Sequence, residues 1–379
     1  MKSKFPLRAL TAASIMVGLG LGTTGAIAGA DTPRGEVHAV FALTDSTSGN
    51  SVLSYLAGSD GTISYAGSYS TGGLGLGAAG AVADPLASQG GLALIDDGNE
   101  LVAVNSGSNT VSVFSVSGTQ LRLLQIVPSG GLFPNSIATS GNLVTVLNAG
   151  GAGSVVEFEL RGEKLVALRG QVRSLGLGNT DLPNFLMAPG QVGYSPNGQH
   201  LVVTTKLSTN SFEVFSVGSD GALGAAPVVT PATSPVPFAF NFDAAGNLVA
   251  VQASNSSVST YTINPDGSLT ALGSATDGLK ALCWISSVNG YYFGSNAGSA
   301  NISAFAESST GAPVLVNSSA AVAHAGTTDS AVSANGSFLY VESGGAGTID
   351  AYVIGAGGTL SQVGTVFDLP VASEGIVAS

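Results

Sequence analysis

The sequence predicts an all-β fold, a seven-bladed β-propeller with four antiparallel strands per blade and a ring closed by strands from both termini. Two regularities and one asymmetry carry this reading. Seven aromatic residues, Tyr55, Phe114, Phe158, Phe215, Tyr261, Phe305 and Tyr352, each close a short β-type run, at intervals of 44 to 59 residues. A period of this length means one supersecondary unit used repeatedly. Tight-turn pairs recur at two fixed places in the unit. Gly141-Asn142, Asn197-Gly198, Gly246-Asn247, Asn289-Gly290 and Asn335-Gly336 separate the first two strands. Asp60-Gly61, Arg161-Gly162, Asp220-Gly221, Asp266-Gly267, Thr310-Gly311 and Gly357-Gly358 separate the last two. Gly and Asn tolerate the positive φ of two-residue hairpin turns, so these pairs mark chain reversals. The asymmetry lies at the ends. No strand precedes Val37, and Glu374-Gly375-Ile376-Val377-Ala378 resembles an orphan inner strand. Pairing Ile376 to Ala378 beside Val37 to Leu43 closes the ring and removes a free edge.

The 379-residue chain carries 54 Gly and only 9% charged residues, which suits short buried strands joined by tight turns. The repeat leaves no segment large enough for a second core, so residues 31–379 read as one propeller domain. Residues 1–30 read as a signal peptide. Lys2, Lys4 and Arg8 precede a Gly-rich apolar run, and Ala28-Gly29-Ala30 offers small residues for cleavage before Asp31. The expected product is a secreted, extracytoplasmic monomer with no stable membrane insertion after cleavage. Its single cysteine, Cys283, allows no internal disulfide. The formal charge is −12, and loss of the three leader cations takes it to −15. Such a surface disfavours nucleic-acid binding, which requires cations to displace counterions. Two stretches, Thr71 to Gly91 and Arg169 to Gly190, exceed what the repeat needs and read as surface decoration or as lids over the channel.

In a four-stranded blade, the loop after the second strand and the loop entering the first share one face, around the mouth of the central channel. The ends of the second strands place Asp45, Asn105, Asn148, Lys206, Gln252, Asn296 and Glu342 there, each nine or ten residues before its aromatic. Asn and Asp at strand ends also bond turn backbone, so part of this ring is structural. The loops entering the inner strands add Asn135, Gln191, Lys280, His324, Asp329 and Glu374. His38 and His200 read as surface or packing residues, whereas His324 precedes an inner strand and is expected to reach the channel. No zinc, phosphate-loop or nucleophile-elbow spacing occurs. Calcium on Asp45, Asn105, Asn148 and Glu342 is chemically allowed, but no spacing demands it and no cofactor is expected.

The run Val104-Asn105-Ser106-Gly107-Ser108-Asn109-Thr110-Val111-Ser112-Val113-Phe114, with Ser195-Pro196-Asn197-Gly198, Ser295-Asn296-Ala297-Gly298 and Asp266-Gly267-Ser268-Leu269, resembles the lactonase-type seven-bladed propellers. These include 6-phosphogluconolactonase-like proteins and carboxymuconate-cyclising enzymes, and they share blade motifs with YVTN-type surface propellers. The resemblance spans Val37 to Ala378 and implies a lactone-directed activity using Arg, His and Glu at the mouth. No arginine falls in the polar ring here, since Arg122 and Arg161 map to outer positions, which speaks against a phosphorylated substrate. The expectation is an exported lactonase-like protein that hydrolyses or isomerises a small unphosphorylated lactone. His324, Glu342, Lys206 and Lys280 are its candidate catalytic groups. Asn105, Asn148, Gln191, Gln252, Asn296 and Asp329 are its candidate substrate contacts. The alternative is a non-catalytic secreted scaffold for an envelope protein or glycan.

Overall fold

The computed structural model describes residues 38–379, so the signal peptide expected over residues 1–30 and the expected strand residue Val37 lie outside the described residues. These residues form seven four-stranded antiparallel sheets, each a blade whose four strands follow one another in sequence except at the seam. There, Ile376–Ala378 is the inner strand of blade 1, hydrogen-bonded antiparallel to His38–Leu43 with Val40 opposite Ala378 and Ala42 opposite Ile376. Ser379 reinforces the join, its Oγ accepting from the Ala39 N–H at 2.8 Å.

The repeated aromatics all lie in third strands and are all buried, from 0 to 2% exposed. Six of the seven sit at a register shift between the third and outer strands, for example between Ser54 and Tyr55 and between Thr260 and Tyr261. A bulge bends and twists a strand. The repeated aromatic is thus the point where the outer strand peels away from the packed interior. The apolar layers lie between neighbouring blades. One of them unites Val40, Tyr55 and Ile376 with Tyr340, Ile349 and Leu369, so blade 7 packs on blade 1 across the seam.

The stretch from Thr71 to Gly91 is a connection between the strands Ile63–Ser70 and Leu92–Ile95. The second long stretch is shorter than expected. Arg169 to Ser174 belongs to the outer strand Leu165–Ser174, and the connection proper spans residues 175–190.

Candidate functional site

The two long connections pack on each other over the mouth of the channel. The Ala79 N–H donates to the Pro183 carbonyl at 2.9 Å, and the Phe185 N–H donates back to the Ala79 carbonyl at 3.1 Å. Ala78, Ala87, Phe133, Ala149 and Ala188 form a small core of their own, with Leu76, Ala81 and Phe185 against it. Close approach to blade 7 depends on Gly344, where a Cβ would stand 2.2 Å from the Ala83 carbonyl oxygen. The structure therefore makes these connections a lid.

The lid carries a plug. Asp84 to Gly90 drops into the channel, with Leu86, Ala87 and Ser88 at most 1% exposed. Ala87 adopts φ 53°, which turns three successive N–H groups toward one point. The Glu374 carboxylate occupies that point. It accepts from Leu86 and Ala87 at 2.6 and 3.0 Å through Oε2, and from Ser88 at 3.2 Å through Oε1. Other blades hold the remaining backbone. Asn135 Nδ2 donates to the Leu86 and Pro189 carbonyls, and Trp284 Nε1 to the Ser88 carbonyl at 2.9 Å. Gln89 pairs both amide atoms with the backbone of Ile285. Lys206, fully buried, donates through Nζ to the carbonyls of Ala87 and Phe185, one from each lid loop, and lies 4.5 Å from the Phe238 ring centroid.

Beneath the plug lies a group of acids with few cations. Asp45, Asp329, Glu342 and Glu374 are all buried. Asp45 Oδ2 accepts from the Glu374 N–H and Glu342 Oε2 from the Gly375 N–H, each at 3.0 Å. Asp45 Oδ1 and Glu342 Oε1 have no partner. Burial raises all four carboxyls, and their mutual repulsion adds to the rise in Glu342 and Glu374. Asp329 is pushed up to about 7. Burial also presses Lys206 down to about 8, against the attraction of Asp84.

These shifts fix a pH dependence. A carboxyl whose folded value lies above its unfolded value binds protons preferentially in the native state. Its stabilising contribution is complete below the unfolded value near ~4 and is lost as pH rises through the folded one. Glu157 and Glu213, raised to about 7 by burial, act in the same direction. His200, lowered by burial, opposes them, and so does Lys206 as pH approaches its folded value of about 8. The melting temperature should be higher at pH 5 than at pH 8 by roughly 5 °C or more. Calorimetry at fixed ionic strength checks this, and a melting temperature that rises with pH would contradict it.

Of the sequence-derived candidates, Lys206, Glu342 and Asp329 thus meet under the lid together with Asp45 and Glu374. The amides do not join them. Asn105 Nδ2 bonds Thr110 and Ser112, Asn296 Nδ2 bonds Ser303, and Gln252 Nε2 bonds Thr233 and Tyr261. Asn148 Nδ2 donates to the Ser129 carbonyl, and Gln191 Oε1 accepts from the Phe240 N–H. These five hold strands and loops together. Among the described residues no group of three His, Cys, Asp or Glu side chains is placed to hold a metal ion.

His324 does not reach the channel. Its ring turns outward onto Asp350, in the third strand of blade 7, with Nδ1 2.9 Å from Oδ2, and it stacks edge-on with Phe367. Asp350 is itself buried and also accepts from Gln362 and Thr365, so it has the partners to fix the imidazole. The His324 side chain stays 38% exposed. Lys280 is exposed on the rim of blade 6 and has no part in the buried group. Residues that the sequence reading did not single out include Asp84, Ser88, Gln89 and Trp284. The chain's one tryptophan beside its one cysteine, in an inner strand, was the available signal.

The channel is open at its other end. A vestibule of about 300 Å³ is lined there by Gln89, Asn241, Ser286, Ser287, Ser330 and the ends of the inner strands of blades 1, 2 and 7. This vestibule lies on the face opposite the mouth at which the sequence places the candidate substrate contacts.

No family model matches the chain, and no curated protein does. Solved structures do match. A protein of Lactobacillus plantarum superposes with a TM-score of 0.70 at 16% identity, covering 90% of this chain and 99% of that one. A proposed 6-phosphogluconolactonase of Bacteroides uniformis gives 0.68 at 18%, covering 89% and 99%. The periplasmic gluconolactonase of Pseudomonas aeruginosa gives 0.66 at 17%, covering 90% and 99%. The chain shares the fold of these proteins, in its case a propeller of seven four-stranded blades, and two of the three are named as lactonases.

Proposed function

We propose that this chain is an exported lactonase-fold propeller that serves as a binding module and does not turn over lactones at its mouth. The observation that carries the reading is the plug. The place where a lactone would meet Lys206 and Glu342 is filled by Asp84 to Gly90, and the plug's backbone is bonded to Glu374, Lys206, Asn135 and Trp284. A general base must come within hydrogen-bond reach of the water it activates, and Glu342 is 0% exposed. A rigid closed disc instead presents its loops as a fixed surface. The purified mature protein should show no carboxylate release from unphosphorylated aldonolactones or muconolactones in a pH-stat. Saturable turnover that Glu342→Gln abolishes would overturn the reading.

A second reading rests on the His324–Asp350 pair and on the lactonase name carried by structural neighbours. Asp350 holds Nδ1 and leaves Nε2 for a water molecule. The water oxygen would add to the lactone carbonyl carbon as its proton passes to Nε2, and the ring C–O bond would break as that proton reaches the departing alkoxide. Any turnover found should then fall about a hundredfold in His324→Ala. Glu342→Gln should leave it unchanged.

A further inference from the structure

We propose that the open end of the channel is a binding site for a small, neutral, polyhydroxylated molecule of monosaccharide size. This goes beyond the plugged-mouth reading and does not depend on it. The vestibule's 300 Å³ lies at the lower end of the range that small-molecule sites occupy. No ionisable side chain lines it, in a chain whose formal charge is −12. Its polar groups are two amides, Gln89 and Asn241, and the hydroxyls of Ser286, Ser287 and Ser330. Leu94, Val332 and Ile376 supply the apolar part of the wall. Hydroxyls and amides over an apolar wall suit the alternating O–H and C–H surface of a sugar, and a charged ligand would find no counter-charge.

The wall is also held in place before any ligand arrives. Asn241 Nδ2 donates to the Ile285 carbonyl at 2.6 Å, the carbonyl that also accepts from Gln89 Nε2 at 3.1 Å. Ser286 Oγ donates to the Ser330 carbonyl at 2.9 Å and lies 2.8 Å from Ser330 Oγ. Fixing Asn241 through Nδ2 leaves its Oδ1 free to accept a hydrogen bond. Polar groups fixed by the protein lose little freedom on binding, which favours affinity from few contacts. Gln89 is the floor of the vestibule and the last side chain of the plug, so a ligand here would also brace the plug from below.

Isothermal titration of the mature protein with D-glucose, D-galactose and D-mannose, with gluconate and glucosamine as charged controls, tests this. At least one neutral sugar should bind with a Kd of about 1 mM or tighter, and the charged controls at least tenfold more weakly. Ser287→Leu, which fills the cavity from a half-buried position, should weaken binding at least tenfold, as should Asn241→Ala. Arg122→Ala, on an outer strand, should not. Melting temperatures of the variants separate lost binding from lost folding, and ligand-detected NMR of Ser287→Leu repeats the test if Asn241→Ala is unstable. Absence of binding by all three neutral sugars, equal binding of the charged controls, or full binding by a folded Ser287→Leu would overturn the proposal. Lactone turnover that Glu342→Gln abolishes, with vestibule binding intact, would sink the plugged-mouth reading and leave this one standing.

Discussion

Deleting the residues after Leu369 should open the ring and lower the melting temperature by about 10 °C or more, if the truncated chain folds at all. The segment removes three things at once. It takes away the inner strand of blade 1, exposing the edge of His38–Leu43. It removes Ile376, which is 4% exposed and packs in the layer joining blades 1 and 7, a loss of roughly 1.5–3 kcal/mol. It also strips Glu374 from Leu86, Ala87 and Ser88, leaving three buried donors unpaired at about 1–3 kcal/mol each. Together these approach the whole stability of an ordinary domain, about 5–15 kcal/mol. Differential scanning calorimetry checks the result. A truncated protein that melts within a degree or two of the intact one would show that the seam is dispensable.

The fold was legible because its signals are local and repeated. A hairpin needs positive φ at set positions, so Asn-Gly and Asp-Gly pairs recur where chain reversals occur, and one buried aromatic per third strand fixes the period. The seam was legible for a related reason, since a strand missing at one end and left over at the other must meet in a closed ring. The bulges at those aromatics were not visible, because a register shift depends on the partner strand and leaves no composition of its own.

The site was only partly legible. Position along the strand predicted which side chains lie near the mouth, but not which way they are engaged. Asn105 and Asn296 each have a serine seven residues on, Ser112 and Ser303, diagonally across the hairpin and two positions beyond the direct partner, and the amide bonds that hydroxyl. Lys206 and Glu342 have no such hydroxyl seven residues on, where Glu213 and Ile349 stand, and bond instead to the lid carbonyls of Ala87 and Phe185 and to the Gly375 N–H. His324 is drawn outward by Asp350, 26 residues away in a strand of the next blade, a pairing that no local pattern announces. The plug was hidden most deeply. Its sequence, Asp84-Pro85-Leu86-Ala87-Ser88-Gln89-Gly90, looks like ordinary loop, and its place is set by Glu374 at the far end of the chain.

That long-range tie sets the remaining prediction. Glu374→Ala keeps the strand Ile376–Ala378 and so keeps the ring closed, but it deprives the plug of its anchor. The net cost combines two terms of opposite sign. Three backbone donors at Leu86, Ala87 and Ser88 lose their acceptor, while a buried carboxyl that burial and its acidic neighbours disfavour as an anion is removed. The donors win, because they belong to the backbone and cannot be repaired by protonation, so a loss of about 3 kcal/mol is expected. The loss should be local. Amides of residues 84–90 should exchange with solvent at least tenfold faster, while the blade strands keep their protection. Cys283 is the chain's only thiol, and Asp84, Lys206 and Glu374 are near enough to perturb it electrostatically, so it gives a second readout. Its labelling by a maleimide should accelerate in Glu374→Ala, as the lid opens and the burial that holds the thiol protonated is relieved. If exchange and labelling both stay at the wild-type rate, the plug is held by its own packing, and the Glu374 cradle is not its anchor.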